Sequence, residues 1–428
     1  MADVIYYVGT EEEVLRHAAP LMAAMPNVEI ADPGQVRERA VPGDVALLYS
    51  EHFDRFRDLC VELKSRRVPT IYAVDGILEW RNAWENRVDE IACPWTMRPC
   101  LSDVVAATGS SQCRVLESWG NGGRVYNVGI PRLDFWNGRQ DRPSLGTSDR
   151  FDILVATARC PGFTPQQLET TGRSVSSVAE SLGEYRLPDG RSVKLHWRVT
   201  GELEKVLNLR NDGRALEELL PEMDAVITLP STLLLESMLA GCPTILLDFH
   251  RCPQYVPTVW TINHPEQIRS TIEEIARLPM DSPKRSLQQF LLEDSLSCDG
   301  RSTERLVKLI TATQQRATEC RSAGDWAFEN LDWPWAPTTR SHAIEASPKA
   351  NDTDETGMSP VQWQRYAEQL QRENQRLNRL LQEAHQVFDH MQGHPVLGSL
   401  LKTHKWVSER VLRKSSQLSK PPEMEERD

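Results

Sequence analysis

The feature that most constrains the fold of this chain is a pattern that occurs twice, in which short apolar runs alternate with helix-length amphipathic stretches. Apolar runs without polar interruption, separated by helices, are typical of parallel strands that are covered on both faces. The sequence therefore predicts two successive α/β domains. The predicted strands are residues 4–9, 44–49, 70–74, 103–108 and 124–129 in the first series, and 151–157, 192–196, 224–229 and 244–248 in the second.

Amphipathic stretches with apolar residues at helical spacing lie between and after these strands. The predicted helices are residues 11–25, 54–66, 112–119, 233–240, 266–277, 286–292 and 302–316. The segment 137–150 (NGRQDRPSLGTSDR) is polar and rich in turn-forming residues, so it is predicted to link the domains. The domains are then expected at 1–136 and 151–325.

The remainder of the chain is predicted to be a tail. Residues 326–359 are predicted to be a flexible tether. From about Trp333 onward the sequence is poor in apolar residues and rich in Pro, Ser, Thr and Asp, which is typical of such a segment. In residues 360–392 an apolar side chain recurs every seven positions, which predicts a coiled coil and a homo-oligomer. The recurring residues are Trp363, Leu370, Leu377, Ala384 and Met391.

Residues 395–418 form a basic amphipathic segment. Leucines and valines alternate there with Lys402, Lys405 and Arg410 at helical spacing. Such a helix packs against protein or lies on an anionic membrane surface, and both interpretations stay open at this point. The coiled coil also has a second interpretation, as a helix that folds back onto the domains.

Composition excludes several function classes. The chain has 49 Lys and Arg against 61 Asp and Glu, a net charge of −12, which argues against a nucleic-acid partner. It shows neither a secretory signal pattern at its beginning nor an apolar stretch of spanning length. Nine cysteines without zinc-site spacing indicate reduced thiols. We therefore expect a cytoplasmic protein.

The strand, turn and helix of residues 224–248 form the most informative stretch. Ser231 and Thr232 stand where the helix begins, and free backbone N–H groups and hydroxyls at such a position bind phosphate. Glu236 lies one turn inside, where a carboxylate can accept hydrogen bonds from ribose hydroxyls. A serine cap followed by a solvated glutamate is the alternative interpretation.

This stretch resembles a known family. Its run Asp-Ala-Val-Ile-Thr-x-Pro-Ser-Thr-x-x-x-Glu-x-x-x-x-Gly-x-Pro-x-Ile-x-x-Asp is similar to the nucleotide-binding half of glycosyltransferases with the two-domain GT-B fold. Bacterial surface-polysaccharide enzymes and the CDP-glycerol glycerophosphotransferase group are the nearest in character. Segments 128–134 (VGIPRLD), 193–196 (VKLH) and 298–305 (CDGRSTER) resemble further motifs of that group, although Trp197 replaces its proline.

The resemblance implies two Rossmann-like domains that face a cleft, with a nucleotide-activated donor bound to the second domain. Such enzymes stabilise the leaving diphosphate with protein groups, so no metal and no cofactor is expected. The residues implied to bind the donor are Arg159, His196, Arg198, Ser231, Thr232 and Glu236.

The acceptor is expected to meet the first domain. Asp75 and Glu79 follow its third strand, and either carboxylate could act as the general base for an acceptor hydroxyl. A capped Asp-Gly turn is the alternative. The implied function is transfer of a sugar or polyol phosphate to a glycan or lipid-linked acceptor in surface-polysaccharide biosynthesis. Two other functions stay open: a nonhydrolysing nucleotide-sugar 2-epimerase, and a non-catalytic scaffold for glycan assembly organised by the coiled coil.

Overall fold

Two parallel sheets contain the strands of the computed structural model, which describes residues 3–86, 97–137 and 149–335. All of these residues belong to one compact unit, Met1–His342. The first sheet has the strand order β2-β1-β3-β4-β5-β6, and its neighbouring strands are parallel. Its strands are β1 (Ile5–Val8), β2 (Val28–Ala31), β3 (Val45–Leu48), β4 (Thr70–Ala73), β5 (Val104–Ala107) and β6 (Val125–Asn127).

Helices cover both faces of this sheet, and apolar residues of its strands are therefore buried on both sides. Helix α1 begins with a capping box in which Thr10 and Glu13 bond each other's backbone N–H groups. The helices are α1 (Glu11–Ala24), α2 (Pro33–Arg39), α3 (Asp54–Ser65) and α4 (Ser110–Leu116), with short helical segments at Arg81–Glu85, Glu117–Asn121 and Pro131–Trp136. We call this sheet with these helices and segments the first lobe.

The second lobe repeats the plan. Its sheet has the parallel order β11-β10-β9-β7-β8. The strands are β7 (Arg150–Ala156), β8 (Ser192–Arg198), β9 (Ala225–Thr228), β10 (Thr244–Leu247) and β11 (Trp260–Ile262). The helices are α5 (Pro165–Leu182), α6 (Gly201–Val206), α7 (Leu216–Leu219), α8 (Leu233–Leu239), α9 (Gln267–Ala276) and α10 (Pro283–Ser295), with a short 3-10 turn at Leu220–Glu222.

The prediction of an α/β fold with two parallel sheets is confirmed. Each predicted strand is present to within one or two residues at either end. Strands β2 and β11 and helices α2, α5, α6 and α7 were not predicted. The predicted coiled coil, the basic helix and most of the predicted linker lie outside the described residues.

The last helix, α11 (Ser302–Ala323), packs on the first lobe although it follows the second in sequence. Its Leu306, Leu309 and Ile310 are buried in the core around β1 and β3. The chain continues along the same core, where Phe328 and Leu331 are also buried. Residues 326–335 therefore differ from the predicted flexible tether, because apolar side chains fix them to the first lobe.

This topology directs the carboxyl ends of the strands of each sheet to one edge, where α/β proteins bind ligands. In the first lobe the polar segment after β4 lies at that edge, and in the second lobe the segment after β9 does. Among the described residues, no helix combines the length and the apolar character that crossing a membrane requires.

Candidate functional site

The segment after β4 and the segment after β9 meet between the lobes. Gly76 approaches Thr232 so closely that a Cβ atom at Gly76 would lie 2.4 Å from the Thr232 hydroxyl oxygen. A side chain at Gly76 would therefore force the Thr232 hydroxyl to move. Thr232 directly precedes α8, and Asp75 directly precedes Gly76. The structure thus brings together one residue from each predicted half of the site.

Asp75 lines a cavity with Tyr7 and His17, which come from β1 and α1. Its side chain is 39% accessible. Burial raises the pKa of Asp75 to about 6, against the opposing effects of Arg132 and Arg159. At neutral pH the group is therefore a charged carboxylate that binds a proton more readily than an ordinary aspartate.

His17 was not predicted as a site residue. Its Nε2 atom lies 3.7 Å from Asp75 Oδ2, and 17% of its side chain is exposed. Burial, followed by the positive charges of Arg132, Arg16 and Arg159, lowers the pKa of His17 to about 4. The imidazole is therefore neutral at pH 7, and it stands next to the carboxylate without carrying a charge.

Glu236 is buried, with 5% of its side chain exposed, and it lies on α8 as predicted. Its Oε1 accepts a close hydrogen bond from Nη1 of Arg132, which belongs to the first lobe. Arg16 on α1 approaches the same oxygen at 3.7 Å. An ion pair between the lobes therefore occupies the carboxylate that was predicted to bind ribose.

Ser231 and Thr232 are half-buried beside this ion pair. The hydroxyl oxygen of Ser231 lies 3.3 Å from that of Thr228 at the end of β9. Helix α8 has only seven residues, so its dipole is weak and the predicted phosphate contacts depend on the two hydroxyls. Arg159 is exposed after β7, and its charge acts on the pKa of both Asp75 and His17.

Glu79 differs from the predicted free base. Its carboxylate pairs with Nε of Arg81, whose side chain is only 1% exposed and donates to the Pro161 carbonyl of the second lobe at 3.2 Å. Burial raises the pKa of Glu79 and the adjacent Arg81 opposes this shift. A carboxylate that compensates a buried guanidinium cannot leave it without cost, so Asp75 is the better candidate for the base.

His196 and Arg198 also differ from the prediction. The two ring nitrogens of His196 lie 2.9 Å from Asp152 Oδ1 and 3.2 Å from Asp212 Oδ2. Arg198 donates to the carbonyl of Arg214 at 2.6 Å. Both side chains are engaged along the edge strand β8, and their contacts within the described part of the chain do not include the residues around Asp75. These contacts give both residues a structural role, and their predicted role in binding a diphosphate stays a prediction.

The two remaining motifs join elements across the chain. Asp134 accepts hydrogen bonds from the backbone of Ser302 and Thr303 and from the Thr303 hydroxyl, at 2.8–2.9 Å, and so caps α11. Arg305 donates to both carboxylate oxygens of Asp299 at 2.8 Å. These motif residues hold α11 in place, and residues 128–132 of the first motif, which include Arg132, line the cavity.

Aromatic residues join the lobes beside the site. The Trp84 indole N–H donates to the Tyr255 hydroxyl at 2.9 Å, and Trp80 stacks on Trp84 with ring centroids 5.3 Å apart. Trp119 contacts Trp84 and Tyr255 edge to face. Three of these rings come from the first lobe and Tyr255 comes from the second, so the interface combines apolar and charged contacts.

Neither the family models nor the curated proteins contain a match to this chain. Solved structures do resemble it. The wall teichoic acid polymerase TagF is 12% identical with a TM-score of 0.47, over 74% of this chain and 90% of that chain. A putative UDP-N-acetylglucosamine 2-epimerase from Listeria monocytogenes is 12% identical with a TM-score of 0.48, over 74% and 97%.

A third structure is the UDP-GlcNAc 2-epimerase of Methanocaldococcus jannaschii in complex with UDP-GlcNAc and UDP. It is 12% identical with a TM-score of 0.49, over 72% of this chain and 99% of that chain. The sequence resemblance named surface-polysaccharide enzymes and the CDP-glycerol glycerophosphotransferase group, and a nucleotide-sugar 2-epimerase stayed open as an alternative function. Within residues 3–86, 97–137 and 149–335, no group of three His, Cys, Asp or Glu side chains is arranged to hold a metal ion. The expectation of a metal-independent enzyme stays a prediction.

Proposed function

We propose that the chain is an enzyme that transfers a sugar or polyol phosphate from a nucleotide-activated donor to an acceptor hydroxyl, in surface-polysaccharide biosynthesis. The contact between the Asp75-Gly76 turn and Thr232 is the observation that carries this proposal. It joins a carboxylate of the first lobe to the hydroxyls that precede α8. A base and a donor-binding segment must lie this close for an acceptor to attack a bound donor.

On the donor side, the hydroxyls of Ser231 and Thr232 and the guanidinium of Arg159 would bind phosphate oxygens. Glu236 would accept hydrogen bonds from ribose hydroxyls. On the acceptor side, Asp75 would take the proton of the attacking hydroxyl. A base with a pKa of about 6 is charged at neutral pH and binds that proton more strongly than an ordinary aspartate does.

The transfer step follows from these positions. The acceptor oxygen forms a bond to the transferred group as the bond from that group to the nucleotide phosphate breaks. The acceptor proton goes to Asp75, and the released phosphate group keeps the bonding electron pair as negative charge. Arg159 would stabilise that charge, since a guanidinium close to a developing anion lowers the barrier. Because His17 is neutral, it adds no positive charge beside Asp75 and does not lower the basicity of that carboxylate.

Calorimetric titration of the full chain with UDP-, GDP-, CMP- and CDP-linked donors tests the proposal first. We expect one class of nucleotide to bind. The Asp75→Asn variant should bind it with unchanged affinity and should not transfer, while the surface variant Glu29→Gln should behave as wild type. Absence of binding to every nucleotide would contradict the proposal and favour the scaffold.

The same donor distinguishes transfer from epimerisation. A transferase releases nucleotide only when an acceptor is present, whereas a 2-epimerase exchanges the C2 proton of the sugar with solvent without any acceptor. Incubation in heavy water, followed by mass spectrometry of the donor, separates the two. Deuterium incorporation at C2 would replace the transferase proposal with the epimerase.

A further inference from the structure

Arg132 has a larger capacity for hydrogen bonding than its surroundings use. Its side chain is only 7% exposed, and it lines the cavity that also contains Asp75 and His17. Nη1 donates to Glu236, but Nε is buried and has no partner among the described residues. An unpaired buried donor costs about 1–3 kcal/mol, so it marks a position that a ligand can satisfy.

The partner of Arg132 is shared. Arg16 approaches the same Oε1 atom of Glu236, and it also lies 4.0 Å from Glu217 at the surface. Arg132 itself has one such partner: in the described part of the chain, Glu236 is the only carboxylate that forms an ion pair with it. Arg132 and Glu236 belong to opposite lobes, so this ion pair joins the second lobe to a residue of the first lobe that lines the cavity.

We propose that Arg132 exchanges Glu236 for the diphosphate of the nucleotide when the donor binds, an inference that rests on the proposed function. The ribose hydroxyls then hydrogen-bond to Glu236, and the guanidinium presents Nε and a terminal nitrogen to two phosphate oxygens. A planar guanidinium suits this bidentate geometry. Arg132 is then paired with phosphate and Glu236 is hydrogen-bonded to ribose hydroxyls, so neither buried charge is left without a partner and the donor bridges the two lobes.

The exchange has a consequence that distinguishes it from a purely structural ion pair. In the free protein, Glu236 competes with phosphate for Arg132. A ligand that has phosphates but no ribose must therefore separate the pair without compensating Glu236. Removal of the negative charge at Glu236 should strengthen the binding of such a ligand and weaken the binding of a nucleotide. A structural pair would affect both ligands in the same direction, through the fold.

Calorimetry with inorganic pyrophosphate, UDP, CDP, uridine and cytidine tests this on the full chain. For Glu236→Gln we expect pyrophosphate to bind about tenfold more tightly and the better of UDP and CDP about tenfold more weakly, as one charged hydrogen bond implies. For Arg132→Gln we expect pyrophosphate to bind about tenfold more weakly. Arg132→Lys should give a smaller loss. Arg39→Gln is the matched control, since Arg39 forms an ion pair with Glu29 on the surface.

The results separate the two proposals. Pyrophosphate affinity that is unchanged in Glu236→Gln, or unchanged in Arg132→Gln, would overturn the exchange even where UDP or CDP binds. Failure of wild type to bind any of the UDP-, GDP-, CMP- and CDP-linked donors would instead contradict the proposed function. Circular dichroism melting checks that each variant is folded. If Arg132→Gln is unfolded, Glu236→Gln and Arg132→Lys carry the test.

Discussion

Replacement of Asp134 by alanine should destabilise the fold more than the loss of an ordinary helix cap. The carboxylate of Asp134 accepts hydrogen bonds from Ser302 N at 2.9 Å, and from Thr303 N and Oγ1 at 2.8 Å each. Asp134 belongs to the segment after β6, whereas α11 follows 168 residues later. The three bonds therefore fix the beginning of a helix that contributes Leu306 to the first-lobe core.

The magnitude follows from these contacts. Loss of an N-cap costs about 1 kcal/mol, and a hydrogen bond to a charged group contributes about 1.5–3 kcal/mol. Because the bonds share one carboxylate and are not additive, we expect Asp134→Ala to lower the free energy of unfolding by about 3 kcal/mol. Asp134→Asn keeps one acceptor oxygen and should lose about half of that amount.

Urea unfolding followed by far-UV circular dichroism measures these losses, provided that the slope of free energy against urea is unchanged. Asp32→Ala is the matched control. Asp32 caps the seven-residue α2 by bonds to Gly34 N and Gln35 N, so its loss should cost only about 0.5–1 kcal/mol. Equal losses for Asp134→Ala and Asp32→Ala would refute the idea that Asp134 anchors α11.

Three further predictions concern the site and the tail. Transfer activity should rise with pH through about 6, where Asp75 loses its proton. Since its folded-state pKa is above the ordinary value of 3.8, the stability that its protonated form contributes is complete below pH 4 and is lost as pH rises through 6. Asp75→Asn should therefore be more stable than wild type at pH 7. Melting temperatures that are equal for the two proteins at every pH from 4 to 7 would contradict this. Chelators should leave transfer activity unchanged, and strict dependence on Mn²⁺ or Mg²⁺ would indicate a different mechanism. Deletion of residues 360–428 should turn a homo-oligomer into a monomer that still binds donor. Sedimentation analysis of the full and the shortened chain tests this, and a monomeric mass for both would contradict the prediction of an oligomer.

Much of the fold could be predicted because its strands are short apolar runs flanked by turn residues. The exceptions have local causes. β2 (VEIA) is an edge strand of four residues whose apolar run is interrupted by a glutamate, and β11 (WTI) has only three residues. Helix α5 has few apolar residues among serines and threonines, so its periodicity is weak, yet Val175, Val178 and Leu182 are buried.

The site could be predicted only in part, because its contacts join distant parts of the chain. The turn at Asp75 and the start of α8 were identified from residue types after strands. His17 was missed because an isolated histidine inside an amphipathic helix has no local signal, and only the fold places it beside Asp75. Glu79 was predicted as a base because the sequence does not show that the neighbouring Arg81 is buried, where it donates to the Pro161 carbonyl of the second lobe and pairs with Glu79. Strand ends identify candidates, but they do not show which charges neutralise one another.

The central claim is that a nucleotide binds between the lobes, with its ribose at Glu236. The most direct test is calorimetric titration of wild type and Glu236→Ala with the nucleoside diphosphate that binds wild type most tightly. We predict that the variant, with its fold intact by circular dichroism, binds about 1–3 kcal/mol more weakly, since a charged hydrogen-bond partner is lost. Equal affinities for the two proteins would contradict the claim.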